Sequence, residues 1–319
     1  MDDTAKMSEK PLVSFALFAF NQQEFIGEAI TGALSQTYQP LEIILSDDCS
    51  NDNTFAIMKD MAEAYDGPHR LVLRQNKKNL GVAEHVNQVI DLASGELLTV
   101  AAGDDISHED RVSTAVEVFA DDDRVTVLET GYAEIDDLGN ATGRIHSYSD
   151  VQFDLGSYLV KSDRRPVGAS RTYRTETLRL FPHLSPDCPT EDTTLMLRCL
   201  FAGEGRAVSK ASIQRRIHDN NLSARKRLAV MPLEPLRDQY LADAKYAFHE
   251  GMIESRALKL TTDWARTEFC LRKSFQWLWQ GENAFAIARK VTFMQAPWHA
   301  KARAYWRLTR GMARSGASE

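Results

Sequence analysis

Long apolar runs are missing from this 319-residue chain: no stretch of about 18 uncharged apolar residues occurs, which leaves no candidate for a membrane-crossing helix. The first ten residues, MDDTAKMSEK, are polar and acidic with no apolar centre, so neither a secretory leader nor an ordered element is expected there. Cysteine is scarce and scattered: the four, Cys49, Cys188, Cys199 and Cys270, form no C-x-x-C pair. That excludes a disulfide framework and a zinc ribbon, and a reducing cytoplasm is the expected compartment. Glycine, lysine and arginine are all absent from FAFNQQEF (18–25), the turn after the first strand-like run. A sugar nucleotidyltransferase would need a glycine-rich, basic phosphate loop at that point.

Acidic residues are missing from one region only. Residues 284–318 hold seven Lys or Arg and no Asp or Glu, which leaves 31 basic against 44 acidic residues in 1–283, a body charge of −13. Such a body repels nucleic acid. The basic tail, with Trp298, Tyr305 and Trp306 among its charges, suits an anionic membrane surface, a phosphorylated partner or a second copy of the chain; it also suits a solvated helix face.

What is present is an alternation of apolar runs and helical periods. LVSFALFAF (12–20) is apolar almost throughout, as a strand buried on both faces must be, and Asn21 follows it as a turn residue. EFIGEAITGALSQ then spaces its apolar residues helically. LEIILSDD (41–48) gives a second strand, a helix starts near Phe55, HRLVLRQ is a third strand, and GVAEHVNQVIDLAS is a helix that Gly95 ends. ELLTVAA (96–102) is the fourth strand. Four strands alternating with three helices predict an α/β fold, a mostly parallel sheet with helices on both faces.

Ligands of such sheets bind beyond the carboxyl ends of the strands. Asn21, the pair Asp47 and Asp48, and the pair Asp104 and Asp105 all follow strands, so three polar clusters converge on one edge. Each pair also suits a turn that caps the next helix. Adjacent ionised carboxylates at a desolvated strand end repel, however, and a cation offsets that cost. Magnesium or manganese, held by one or two carboxylates and by substrate phosphates, fits the residue types, which makes a diphosphate the expected ligand.

VSFALFAFNQQEFIGEAITGALSQTYQPLEIILSDDCSNDNT followed by NLGVAEHVNQVIDLASGELLTVAAGDD resembles the nucleotide-binding half of the family 2 inverting glycosyltransferases with the GT-A fold, over about residues 11–110. The resemblance implies a Rossmann-like sheet with a C-terminal helical extension: a glycosyltransferase domain over 11–225, divided at 110 into nucleotide and acceptor halves, and a helical region over 226–319. It implies that Phe18, Ala19, Phe20 and Asn21 line the nucleoside pocket with Asn79 and Asn87. Asp48 would then accept a hydrogen bond from a uracil or thymine ring, and Asp104 would sit near ribose and diphosphate. Asp105, with Asp104 and His218 of RRIHDNNLSARK (215–226), would hold Mn2+ or Mg2+. Asp192 of TEDTTLMLRCLFAGEG (190–205) corresponds to the general base, and Gly168, Arg171 and Glu191 fall on the acceptor side.

The expected activity is metal-dependent, inverting transfer of a sugar from a nucleoside diphosphate, UDP by preference, to a glycan or lipid-linked acceptor in cell-surface polysaccharide synthesis. A catalytically inactive sugar-nucleotide-binding module is the alternative. The basic C-terminal helices would pair subunits or hold the protein at the inner membrane face. Three departures from the family pattern stand out. Phe18 and Phe20 replace its usual threonine or proline and tyrosine, Ala102 replaces the first Asp of a D-x-D-D motif, and Val86 replaces an arginine before Asn87. Diphosphate charge would then fall to Arg171, Arg215 or the metal.

From residue 125 to 147 the pattern is a β-hairpin turning at Asp137, Gly139 and Asn140. A strand and a short helix follow within 166–181, and beyond 226 come two to four amphipathic helices broken near Gly251, Gly281 and Pro297.

Overall fold

The structure, a computed structural model, describes residues 10–160, 168–221 and 223–315, with side chains as far as Trp306. The proposed disordered N-terminus therefore lies outside the described residues except for Lys10.

The first half is a repeating strand–helix unit: β1 (Val13–Ala19), α1 (Ile26–Leu34), β2 (Leu41–Asp47), α2 (Thr54–Glu63), β3 (Arg70–Gln75), α3 (Val82–Leu92) and β4 (Leu97–Ala102). These four strands lie parallel in the order β3-β2-β1-β4. The apolar runs are continuous because both faces are covered. In β1, Val13, Phe15, Leu17 and Ala19 pack with α1 and α2 residues such as Ile30 and Met58, while Ala16 points to the other face, with Val86 and Val89 of α3. That alternation is the period-2 geometry of a strand acting on two cores at once.

A two-residue strand, β5 (Ile106–Ser107), and α4 (Arg111–Asp121) precede the long β6 (Val125–Ile135), β7 (Ala141–His146), β8 (Val151–Phe153) and α5 (Leu155–Val160). β6 and β7 pair antiparallel around Asp136–Asn140, the hairpin expected from the turn residues. A 3-10 turn (Gly168–Ser170) leads into β9 (Arg171–Arg174) and α6 (Thr175–Arg179), then α7 (Asp192–Ala202) and β10 (Glu204–Arg216). β9 runs antiparallel between β4 and β6, joining the parallel half to a mixed second half in which β10 lies parallel to β6.

The helices after residue 224 are α8 (Arg225–Leu228), α9 (Leu233–His249), α10 (Ser255–Trp279), α11 (Ala284–Phe293) and α12 (Trp298–Ser315). Breaks fall at Gly251, Gly281 and Pro297 as the sequence predicts. Leu233, Leu236, Tyr240, Ala244, Ala247 and Ala265 share one core with Val86, Leu195 and Tyr173, so the C-terminal helices continue the packing of the sheet. The buried ion pair of Arg198 on α7 with Asp243 on α9, at 2.8 Å, ties the two together.

Candidate active site

Strand order places the site. From β1 the chain moves outward to β2 and β3, then crosses back to β4 on the other side of β1, so a crevice opens at the carboxyl ends of β1 and β4 where the winding reverses. Gly103 N donates to the Phe18 carbonyl at 2.8 Å and closes the two strand ends together. The turn after β1 and the GDD turn after β4 therefore share one edge.

On the β1 side, Asn21 takes a left-handed backbone (φ 52°). Its Oδ1 accepts from Asn51 N at 2.8 Å, which locks it to the turn after β2. Phe18 is half-buried edge-on against His85, ring centroids 5.1 Å apart, Ala19 is buried, and Phe20 is 40% exposed at the mouth. Asp48 is buried, and its Oδ1 accepts from Asn76 Nδ2 at 2.7 Å and Leu80 N at 2.9 Å, while Oδ2 accepts from Gly81 N at 2.9 Å. Three of the roughly four acceptor positions of a carboxylate are thus used within the chain, leaving one on Oδ2. Asn79 is exposed and its Oδ1 accepts from the same Gly81 N.

A cluster that sequence reasoning missed stands behind this turn. Arg74 donates to Ser46 Oγ at 2.6 Å and Gln88 Oε1 at 2.6 Å, and Ser46 Oγ lies 2.5 Å from His85 Nε2. Burial pushes His85 down to about 4, so its imidazole is neutral at ordinary pH. Arg74 of β3 also brings a positive charge within electrostatic reach of Asp48; its signal in the sequence is a lone charge at a strand end.

Asn87 is not in this pocket. It is 2% exposed; its Nδ2 donates to the Leu184 carbonyl at 2.9 Å and its Oδ1 accepts from Leu184 N at 2.8 Å. Both ends of the amide are spent joining α3 to the loop before α7, which corrects the nucleotide-binding assignment: a helix-interior asparagine on the buried face serves a backbone partner first.

On the β4 side, Asp104 and Asp105 are 8% and 7% exposed. Asp104 Oδ2 accepts from His218 Nε2 at 3.0 Å and Asn221 Nδ2 at 3.1 Å. Asp105 Oδ1 accepts from Arg216 N at 2.9 Å. Burial, then the neighbouring Asp104, push the Asp105 carboxyl up to about 8. Arg216, fully buried, spends its guanidinium on the Asp104 carbonyl, the Asp136 and Asp137 carbonyls and Glu28, and so braces the turn without meeting either carboxylate. Arg216 and Asn221 both lie within the RRIHDNNLS stretch, where attention to the histidine alone overlooks them.

Among the described residues no three His, Cys, Asp or Glu side chains gather as a metal site. The expected trio of Asp105, Asp104 and His218 is present as a carboxylate pair with an imidazole bonded to one member, and that ring lies tilted against Phe25, centroids 4.8 Å apart. A divalent ion fits this set. Two buried carboxylates, one of them held well above the usual carboxylate range by burial and its neighbour, are short of positive charge, and such an ion is often held by one or two carboxylates with phosphates completing its shell.

The third part lies beside the end of β4. Because β9 pairs antiparallel with β4, the Gly168–Ser170 turn abuts the carboxyl end of that strand, and buried Arg111 donates to the carbonyls of Val100 and Ala169, both at 2.6 Å. A Cβ on Gly168 would stand 2.8 Å from Asp192 Cβ, so only glycine lets the turn approach the start of α7 this closely. Asp192 Oδ1 accepts from Thr193 N at 2.6 Å. Beside it, burial and then Asp192 raise Glu191 to about 7.

Arg171 does not face the cleft. It is 1% exposed, pairs with Glu129 at 2.9 Å and donates to the Asp192 carbonyl, so it positions the start of α7 and is unavailable to a diphosphate. Arg215 is turned to Ser223 Oγ at 2.7 Å. Arg272 of α10 brings a positive charge within electrostatic reach of Asp192.

Comparison with known proteins matches this geometry. The glycosyl transferase family 2 model fits residues 14–189, more than half of the chain. A putative glycosyltransferase EpsE of Bacillus subtilis is 33% identical over 139 residues, 44% of this chain and 49% of that one. Glycosyltransferase GlyG of Streptococcus pneumoniae is 34% identical over 134 residues, 42% and 43% of the two chains. The chain thus spans half or less of the curated relatives it matches. Among solved structures, Staphylococcus aureus TarS 1-349 in complex with UDP-GlcNAc superposes with TM-score 0.60 at 19% identity, over 82% of this chain and 72% of that one. The mannosyltransferase PcManGT of Pyrobaculum calidifontis, in complex with GDP-Man and Mn2+, superposes with TM-score 0.59 at 14% identity, over 97% and 81%. The sheet is the GT-A sheet of these neighbours, and the chain belongs to glycosyl transferase family 2.

Proposed function

We propose that the chain is a metal-dependent, inverting glycosyltransferase that moves a sugar from a nucleoside diphosphate sugar, UDP-linked, to a glycan or lipid-linked acceptor in cell-surface polysaccharide synthesis. The observation that carries this reading is the buried Asp104–Asp105 pair at the crevice between β1 and β4, short of a cation, with Asp192 beside the end of the same strand. The UDP-GlcNAc complex of TarS and the GDP-Man and Mn2+ complex of PcManGT support a nucleotide-sugar donor and a divalent ion. The chondroitin synthase of Escherichia coli, 28% identical over 138 residues, supports a glycan product.

Phe18 and Phe20 offer ring faces to the base, and the remaining acceptor position of Asp48 suits a ring N–H. Ala19, Asn21 and Asn79 complete the walls of the nucleoside pocket. Asp105 and Asp104 would hold Mn2+ or Mg2+, which when bound would supply positive charge toward a diphosphate. His218 and Asn221 fix Asp104 by hydrogen bonds.

Inversion needs a base on the sugar face opposite the leaving group, because an acceptor hydroxyl is too weak an acid to attack unaided. Asp192 takes that proton; the N-terminus of α7 favours its ionised form. Glu191 and Gly168 border the acceptor.

Donor hydrolysis by the full chain with Mn2+ tests the activity and separates an enzyme from an inactive binding module. Asp192→Asn should keep nucleotide affinity and lose transfer by about 10²-fold or more. Equal loss of both would make Asp192 structural and overturn its role as base.

A further inference from the structure

The helices α11 and α12 carry aromatic side chains on the wrong side for a core. Phe285, Phe293 and Trp298 are 83%, 80% and 81% exposed, and Trp306 is 54% exposed. Each stands two residues from a fully buried apolar partner: Ile287, Val291, Ala300 and Ala304 in turn. Two residues turn a helix by about 200°, so every one of these aromatics points nearly opposite to the core contact of its own helix.

The two helices share that outer side. Ile287, Val291, Ala300 and Ala304 all bury against Cys270 and Leu271 of α10. They are also bonded side by side, through Thr292 Oγ1 and Tyr305 Oη at 2.8 Å and from Lys301 Nζ to the Thr292 carbonyl at 2.8 Å. With a common inner face, the stripes Phe285–Arg289–Phe293 and Trp298–Ala302–Trp306, each spaced i, i+4, i+8, lie together on the outer one.

Charge decides what this face meets. Residues 284–318 hold seven Lys or Arg and no Asp or Glu, in a chain whose residues 1–283 sum to −13. Arg289 and Arg303 are exposed beside the aromatics, and no ion pair among the described residues engages them. Lys290 is the exception, paired with Glu282 at 2.6 Å. A second copy would bring the same positive charge to the same patch. An anionic lipid surface supplies the complementary sign, and Trp and Phe rings seat at the level of its headgroups.

We infer that the outer face of the α11–α12 pair is a peripheral membrane-binding surface for anionic phospholipid. Phe285, Phe293 and Trp298 enter the headgroup region while Arg289 and Arg303 hold the phosphates. The assignment is independent of the catalytic reading, since none of these residues touches the crevice.

The test is co-sedimentation of the full chain with phosphatidylglycerol-containing vesicles, with pure phosphatidylcholine vesicles alongside. Binding should occur only to the anionic vesicles, weaken with added salt, and fall about tenfold or more in Phe293→Ala/Trp298→Ala and in Arg289→Ser/Arg303→Ser. Both variants alter exposed side chains, so circular dichroism and donor hydrolysis should match the parent and show that the loss is not unfolding. Vesicle binding unchanged in both variants would overturn the inference. So would absence of vesicle binding together with a concentration-dependent dimer that the aromatic variant dissolves, which would assign the face to a second copy.

Discussion

Two aspartate pairs, each at the end of a buried parallel strand, look alike in sequence and differ in chemistry. Asp47 and Asp48 at the end of β2 meet many donors: Ser50 N and Gln75 Nε2 on Asp47, both at 2.9 Å, and Asn76, Leu80 N and Gly81 N on Asp48. Asp104 and Asp105 after β4 meet fewer, and Arg216 beside them gives its guanidinium to carbonyls and to Glu28. The first pair is a turn clamp with one acceptor position left for a ligand. The second is an anionic site that a cation completes. What distinguishes them is the supply of N–H groups from neighbouring loops, since a carboxylate saturated by donors needs no metal.

That contrast can be broken by mutation. Asp105→Ala should lower Mn2+-dependent donor turnover on the order of 10²- to 10³-fold in a steady-state assay, with a smaller loss of stability than Asp48→Ala, because it strands one backbone N–H, that of Arg216, and relieves a carboxyl that burial opposes. Asp48→Ala should do the reverse in kind. It leaves Leu80 N, Gly81 N and Asn76 without their acceptor and should cost about 2–4 kcal/mol in urea unfolding. Gly168→Ala, whose Cβ would meet Asp192 at 2.8 Å, should shift the base and lower kcat about tenfold with nucleotide affinity intact.

The smallest effect concerns pH. Glu191, raised to about 7 by burial and Asp192, contributes stability that is fully present below its ordinary value and is lost as pH rises through about 7. Glu191→Gln should therefore flatten the decline in melting temperature between about pH 4.5 and 7.

The parallel half of the fold was legible in the sequence because its strands are buried on both faces and its helices on one, and those two periods differ. β5 was not: two residues carry no period, and they pair with Ile213 and Gln214 far along the chain. The same distance effect governs the site. Asp48, Asp104, Asp105 and Asp192 could be placed at strand ends or a helix start from local pattern. Asn87 and Arg171 could not, because Leu184 and Glu129, the partners that consume their polar groups, are brought in by tertiary packing. Arg216 was hidden for the same reason, being fixed by contacts to residues 79 to 188 positions away.

The central claim is that the Asp104–Asp105 pair, and not the Asp47–Asp48 pair, holds the divalent ion with the diphosphate. Calorimetric titration of UDP into the chain, with Mn2+ and with EDTA, tests it most directly in the parent, Asp105→Asn and Asp47→Asn. The account predicts that Mn2+ tightens UDP binding in the parent and in Asp47→Asn but not in Asp105→Asn. Equal tightening by Mn2+ in Asp105→Asn, or UDP binding indifferent to EDTA in the parent, would contradict it.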